Sequence, residues 1–144
     1  MQLFMDHIHV HQSPTAHGVS VDGNICVLSG NRFFPEENWF DLVLTDLIQW
    51  LPALISFKDG HSDSCLLPFM DGPAEIRLRR SDKLVSAEFI WNHHTEYQKD
   101  EIDFQGFVNS VVKAARQLCR ELHVNHVCSD MIMQINFWVK KLST

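Results

Sequence analysis

The sequence lacks a long uninterrupted hydrophobic run, although 45% of its 144 residues are hydrophobic. Asp41 and Asp46 interrupt its most apolar stretch, and Pro52 falls near the end of that stretch. A helix that spans a membrane needs about 20 predominantly apolar residues, so we expect no membrane span. The N-terminal segment also lacks a basic region followed by an apolar one, which argues against a secretion signal. We therefore predict one cytoplasmic domain over residues 1–144.

Cysteine pairs at metal-binding or redox spacing are also absent. Cys26, Cys65, Cys119 and Cys128 are scattered, form no Cys-x-x-Cys pair and have apolar neighbours. In a cytosolic chain this pattern predicts reduced, buried thiols rather than a disulfide or a zinc site. No catalytic or cofactor motif stands out either, so we expect neither enzymatic activity nor a bound cofactor.

Positive charge is scarce in the first half of the chain. Residues 1–74 contain nine acidic residues against two basic ones, Arg32 and Lys58, whereas residues 75–144 contain nine acidic and ten basic residues. The net charge of −6 therefore arises in the first half. Because phosphate binding needs positive charge, this distribution argues against a direct nucleic-acid partner and favours a basic protein. Plain solubility would also account for it.

The most apolar stretch, residues 36–57, predicts a long central helix. Its polar residues form a single stripe at spacings of three and four, with Asp46 beside it: Asn38, Asp41, Thr45 and Gln49. A helix that is apolar over most of its circumference should be enclosed between a sheet and at least one other helix. Pro52 predicts a kink or a break at residues 49–51.

An N-terminal β-hairpin is predicted from side-chain alternation. Residues 3–11 alternate with a period of two, which is typical of a strand. Ser13-Pro14 and His17-Gly18 then break the pattern, and Asp22-Gly23-Asn24 predicts a turn before a second short strand at residues 25–28.

Residues 65–91 predict a three-stranded antiparallel meander. Its strands cover residues 65–70, 75–80 and 84–91, and Asp71-Gly72-Pro73 forms the first turn. The following segment, residues 92–103, is polar and mostly acidic and carries no strand prediction.

Two helices are predicted at the C-terminal end. Asp103 is placed to cap an amphipathic helix over residues 104–122, and a final helix follows at residues 130–142, with Met133 and Phe137 off its buried stripe. The predicted fold is therefore α+β, with one antiparallel sheet packed against the central helix and the two C-terminal helices.

Three histidines on the first strand suggest an alternative function. His7, His9 and His11 would project from one face of a strand, at a spacing that can place two imidazoles on one metal ion. This pattern leaves open a metal-binding protein or a metal-dependent hydrolase. An exposed edge strand with polar side chains facing water is the simpler interpretation. A scaffold with a small-molecule pocket between the central helix and the sheet is neither supported nor excluded.

Two motifs resemble a known group of proteins: Phe34-Pro35-Glu36-Glu37-Asn38-Trp39 before the apolar helix, and Phe69-Met70-Asp71-Gly72-Pro73 before Glu75-Ile76-Arg77-Leu78. This combination resembles small bacterial α+β proteins, some of which are immunity proteins of contact-dependent growth inhibition and other polymorphic toxin systems. The resemblance implies a cytoplasmic antitoxin without enzymatic activity, which binds and neutralises a cognate toxin, often a basic nuclease, encoded directly upstream. It implies no specific contact residue.

The charge distribution suggests where such a toxin would bind. Carboxylates that imitate phosphates would give fast, salt-sensitive association with a cationic nuclease. We expect these contacts at Glu36, Glu37, Asp59, Asp63 and Asp71, with Trp39 or Trp91 as the aromatic anchor. The second choice of contact residues is Glu96, Asp100, Glu101 and Asp103.

Overall fold

The computed structural model describes residues 1–12, 18–126 and 129–144, which form two four-stranded antiparallel sheets and three helices. The first sheet contains β1 (Gln2–Gln12), β2 (Val19–Ser29), β3 (Arg32–Phe34) and β4 (Phe40–Asp41). The second sheet contains β5 (Ser64–Pro68), β6 (Ala74–Ser81), β7 (Leu84–Trp91) and β8 (His94–Lys99). The helices are α1 (Val43–Lys58), α2 (Phe104–Val124) and α3 (Ser129–Leu142). The predicted α+β class, N-terminal hairpin, meander and helices are confirmed, but the hairpin and the meander lie in two separate sheets rather than in the one sheet that was predicted.

The N-terminal hairpin is longer than predicted, because β2 runs through the residues that were expected to form a turn. Asp22, Gly23 and Asn24 all lie within β2 and pair with β1 or β4. The glycine is required because β1 bulges between Asp6 and His9, where the register shifts. A Cβ at Gly23 would lie 3.0 Å from the carbonyl oxygen of Asp6. The chain breaks predicted at Ser13-Pro14 and His17 lie outside the described residues.

The central helix begins at Val43, seven residues later than predicted from residue 36. The amide of Trp39 donates to the carbonyl oxygen of Glu36, and Asn38 has a φ of +59°, so this segment forms a turn. Phe40 and Asp41 then pair with β2 as β4. Pairing with a strand distant in sequence has overridden the local apolar pattern.

The helix is continuous through Pro52, so the break predicted there is wrong. Proline removes one backbone donor, but its side chain is exposed here, where water can replace the lost hydrogen bond.

α1 is the centre of the hydrophobic core, as predicted. It packs against β2, β5 and α3. Leu47, Trp50, Leu51, Leu54 and Phe57 are all 0% exposed. The indole nitrogen of Trp50 donates to the carbonyl oxygen of Pro68 at 2.6 Å, which ties the helix to β5. Complete burial of such side chains stabilises a fold by about 1.5–3 kcal/mol each.

The predicted meander is present, but it has a fourth strand. β8 lies in the polar segment for which no strand was predicted, and it pairs with β7. Its only side chain that is not fully exposed belongs to Tyr97, which stacks on the buried Phe89 with 4.2 Å between ring centroids. On the outer face, Arg77 of β6 lies 3.3 Å from Glu88 of β7.

Both C-terminal helices are confirmed. The carboxylate of Asp103 caps α2 by accepting the amide of Gly106 at 3.0 Å. Ser110 of α2 accepts the amide of Leu3 at 2.8 Å and so closes part of the free edge of β1. Met133 and Phe137 of α3 are 70% and 52% exposed, in agreement with their place off the buried stripe.

Cys26, Cys65 and Cys119 are buried free thiols, as predicted, whereas Cys128 lies outside the described residues. Burial raises the pKa of the Cys65 thiol to about 12 and also raises the pKa of Cys26 and of Cys119. Among the described residues, no helix combines the length and the apolar character needed to cross a bilayer.

A tryptophan cleft between the two sheets

A cleft of about 260 Å³ opens between the end of the first sheet and the last two strands of the second. We call it the tryptophan cleft. Its lining residues come from the segment around β3 and from the β7–β8 hairpin: Arg32, Phe33, Phe34, Pro35, Glu36, Trp39, Trp91, Glu96 and Tyr97. The cleft therefore exists only where the two sheets meet, and residues distant in sequence build it together.

Trp39 and Trp91 form an aromatic pair at the cleft. Their rings meet edge to face, with 5.8 Å between centroids. Trp91 is 36% exposed, and Trp39 is partly buried. Gly72 packs beneath Trp39 with a φ of +97°, and a Cβ there would lie only 3.3 Å from Cζ2 of that ring. The glycine therefore permits both the turn and the close approach of the indole.

Two buried aspartates hold Trp39 and the neighbouring turn in place. Asp41 is 1% exposed and Asp46 is 0% exposed, so both depart from the polar stripe that the helical pattern predicted. The Asp41 carboxylate accepts the indole N–H of Trp39 at 3.1 Å, and the backbone amides of Leu42 at 2.6 Å and Asp71 at 3.0 Å. Its bond to Asp71 links β4 of the first sheet to the turn that follows β5 of the second.

Asp46 lies on the first turn of α1 and accepts the amide of Met70 at 2.9 Å through Oδ1. Its Oδ2 is buried and has no other partner among the described residues. The pKa of Asp46 is raised to about 8, first by burial and then by the negative charge and side-chain hydrogen bond of Asp41, while the amide of Met70 acts in the opposite direction. The Asp41 side chain contributes to this shift, so the carboxyl group of Asp46 is protonated and neutral near pH 7.

Charged side chains rim the cleft. Glu36 and Glu96 line it from opposite sheets, and both are exposed. The one basic residue in the lining, Arg32, places its guanidinium carbon 3.7 Å from the centre of the Tyr97 ring. Arg32 therefore contacts an aromatic face. Together with the two glutamates, it leaves the lining of the cleft with a net negative charge.

The structure brings together only part of the predicted binding surface. Glu36 and Trp39 line the cleft, and Asp71 adjoins it through Gly72. Glu37 is exposed in the same turn as Glu36 but does not line the cleft.

Asp59 and Asp63 lie apart from this group. Both are exposed, but they follow the C-terminal end of α1. The sixteen residues of α1 separate the two ends by about 24 Å. The acidic residues of the first half therefore do not form one continuous surface.

Several cleft residues were not among the first-choice predictions. Glu96 was a second choice, and Trp91 was named only as a possible anchor. Arg32 and Tyr97 were not named as contact residues, and Gly72 was named only as part of the turn at residues 71–73. Tyr97 is the only tyrosine in the chain and interrupts a polar segment, which is the one local signal that could have indicated a strand there.

The three histidines of β1 are not gathered on one face, so that prediction is wrong. The bulge places His7 at a φ of +51° and removes it from the alternation. His11 lies 2.8 Å from the Asp22 carboxylate and His9 lies 3.6 Å from it. Over the described part of the chain, no group of three or more histidine, cysteine, aspartate or glutamate side chains is placed to hold a metal ion.

Comparison with known proteins gives no assignment: no protein-family model matches the chain, and neither does any curated protein or solved structure.

Proposed function

We propose that this protein is an immunity protein, which neutralises a basic toxin domain of the nuclease type by binding it at the tryptophan cleft. It would act in the cytoplasm as a binding protein without a cofactor. The observation that carries the proposal is the pair of partly exposed tryptophans between two glutamates.

Trp39 has the properties of a binding hot spot. Such residues are most often tryptophan, tyrosine or arginine, and they contribute most when they are fixed before the partner arrives. The indole N–H of Trp39 is held by Asp41, its ring rests on Gly72, and its edge meets Trp91. Little conformational entropy remains to be lost when a partner covers it.

The rim of the cleft suits a lysine or arginine from the partner. A cation gains from an aromatic face and from a nearby carboxylate, and both are present here. Glu36 and Glu96 line the cleft and are exposed, and Asp71 is exposed next to Gly72, which packs against Trp39. The acidic first half of the chain would then steer a cationic toxin towards this site, at a rate that falls as salt increases.

The proposal is tested with the toxin domain expected to be encoded directly upstream. Binding is measured by titration calorimetry with wild-type protein and with two charge-reversed double variants, Glu36→Lys with Glu96→Lys and Asp59→Lys with Asp63→Lys. We expect a one-to-one complex, weakened at least about a hundredfold by the first pair, because each reversal replaces attraction with repulsion. The second pair is a matched control, since it makes the same charge change at the far end of α1.

Two results would overturn the proposal. One is the absence of any partner when the protein is purified from its source at low salt. The other is an affinity that falls with the Asp59 and Asp63 variant but not with the cleft variant.

A metal-binding function through His7, His9 and His11 has weaker support, because the bulge separates His7 from the other two. Under this alternative, untagged protein would contain one bound metal ion per chain by elemental analysis. Under the immunity proposal, it would contain none in stoichiometric amount.

A further inference from the structure

A second possible binding surface lies between α2 and α3. Two adjoining cavities, of about 340 and 430 Å³, share Arg116 and Arg120 in their linings and form one groove. The α2 side of this groove runs from Asn109 to Val124, a distance of about 22 Å or four helical turns. It shares no lining residue with the tryptophan cleft.

The charged residues that line the groove all carry the same sign. Lys113, Arg116 and Arg120 follow one another at spacings of three and four along the exposed face of α2, and His123 continues the row. No acidic residue lines the groove in the described part of the chain. The ion pairs among the described residues do not involve Lys113, Arg116 or Arg120. The row is basic, in a protein whose net charge is −6.

The groove also has an apolar component. Val112 and Ile132 line it from the two helices, and Val124 at its end is 70% exposed. On α3, Met133 and Phe137 are also exposed, but they do not line the groove. Over the described residues, Ile132 and Val124 therefore give the row of cations an apolar border.

We propose that this groove binds an acidic amphipathic helix of a partner protein. The apolar side chains would receive the apolar face of that helix, and the row of cations would pair with carboxylates repeated every three or four residues along its flank. The inference does not depend on the proposed function.

The shape and chemistry of the groove favour this occupant over other anions. A lipid bilayer presents a flat surface, whereas the cations here border a recess. A nucleic-acid backbone offers phosphates but no apolar face to cover Ile132 and Val124. An acidic amphipathic helix satisfies both parts of the surface.

The test uses a labelled peptide of about 18 residues, long enough to form a helix, with leucines on one face and glutamates on its flanks. Fluorescence anisotropy compares it with an otherwise identical peptide that carries glutamine in place of glutamate. The full-length protein is tested as wild type, as Arg116→Glu with Arg120→Glu, and as Val124→Glu. Arg79→Glu with Lys83→Glu is the matched control, because both side chains are exposed on the second sheet.

We expect the acidic peptide to bind, and we expect the Arg116 and Arg120 variant to weaken it at least about tenfold. The Val124 variant should also weaken it, whereas the control should change affinity by less than about twofold. All five substituted positions are exposed, and a thermal melt followed by circular dichroism checks that each variant is folded.

Three outcomes would overturn the inference. The acidic peptide fails to bind at about 100 μM, which is weaker than a specific site of this size should be. The glutamine peptide binds equally well. Vesicles of phosphatidylcholine and phosphatidylglycerol, or duplex DNA, bind through Arg116 and Arg120 while the peptide does not.

Discussion

Replacing Asp46 with asparagine should make the protein more stable at alkaline pH and remove a pH dependence that the wild type shows. Asparagine has the shape of a protonated aspartate. Its carbonyl oxygen can accept the amide of Met70, and its side-chain amide can donate a hydrogen bond as a protonated carboxyl group would. The geometry of the site is therefore kept, and only the capacity to ionise is lost.

The sign of the effect follows from the raised pKa. An aspartate in the unfolded chain has a pKa of about 3.9, whereas that of Asp46 in the folded protein is about 8. Between these values the folded protein holds a proton that the unfolded chain has released, so unfolding becomes easier as pH rises through this window. Below about pH 4 both states are protonated and the penalty disappears, and above about pH 8 it is constant.

The magnitude is large enough to measure. One proton contributes about 1.4 kcal/mol of unfolding free energy per pH unit, so the four units between the two pKa values amount to about 6 kcal/mol. That figure is an upper bound, because water can enter the site once Asp46 ionises. A typical domain has a total stability of about 5–15 kcal/mol, so the wild type should unfold far more easily at pH 9 than at pH 5.

Urea denaturation followed by circular dichroism at pH 5, 6, 7, 8 and 9 measures this effect. The informative quantity is the difference in unfolding free energy between Asp46→Asn and wild type, because all other ionisable groups are the same in both proteins. We expect Asp46→Asn to be about 1.5 kcal/mol more stable than wild type at pH 5, and we expect this difference to grow by up to about 1.4 kcal/mol per unit towards pH 8. A difference that stays constant from pH 5 to pH 8 would refute the raised pKa of Asp46.

Three further substitutions test the packing around the site and the core. Gly72→Ala should destabilise the protein by about 1–3 kcal/mol and shift the fluorescence of Trp39, because it places a Cβ 3.3 Å from the indole at a positive φ. Ser110→Ala should cost about 1–2 kcal/mol and speed hydrogen exchange at the amide of Leu3, which loses its acceptor. Leu54→Ala should cost about 2–5 kcal/mol in urea denaturation, because Leu54 is 0% exposed.

Matched controls accompany these substitutions. Gly18→Ala has open space around the new Cβ and should change stability by less than about 0.5 kcal/mol. Leu84→Ala removes the same atoms as Leu54→Ala from a side chain that is 52% exposed, and it should cost less than half as much. The packing argument fails if Gly72→Ala is as mild as Gly18→Ala, or if the two leucine variants are equally stable.

Local sequence patterns predicted most of the elements. Alternation identified β1, β6 and β7, and spacings of three and four identified α2 and α3, because each of these elements buries one face and exposes the other. The cap at Asp103 was predictable for the same local reason, since a carboxylate before the first turn accepts a helix amide.

The errors arose where distant contacts decide the structure. Residues 36–42 look helical in isolation, but two of them pair with β2 instead. The bulge that displaces His7 is accommodated by Gly23 on the neighbouring strand, which no window around the histidines contains. β8 depends on pairing with β7 and on the stacking of Tyr97 against Phe89, neither of which is visible in its own polar sequence.

The candidate site was only partly predictable, because a charge count carries no information about distance. It placed Glu36 and Asp63 in the same half of the chain, but α1 separates them in space. The burial of Asp41 and Asp46 has a clearer origin in the sequence, since both lie among apolar residues on the way into the central helix. A charged residue among apolar neighbours is compatible with a helix face exposed to water or with a buried hydrogen-bond network. Sequence alone does not distinguish these two cases, because the difference depends on tertiary contacts.

The position of the tryptophan cleft has a consequence for the mechanics of the molecule. The strands of each sheet hydrogen-bond only to strands of the same sheet in the described part of the chain. The Asp41 carboxylate connects the two sheets directly, because it accepts the amide of Asp71 in the turn after β5. A partner bound at Trp39 and Trp91 would contact both sides of this junction. Its binding should stabilise the two sheets together, so that amide protons in β2 and in β7 exchange more slowly.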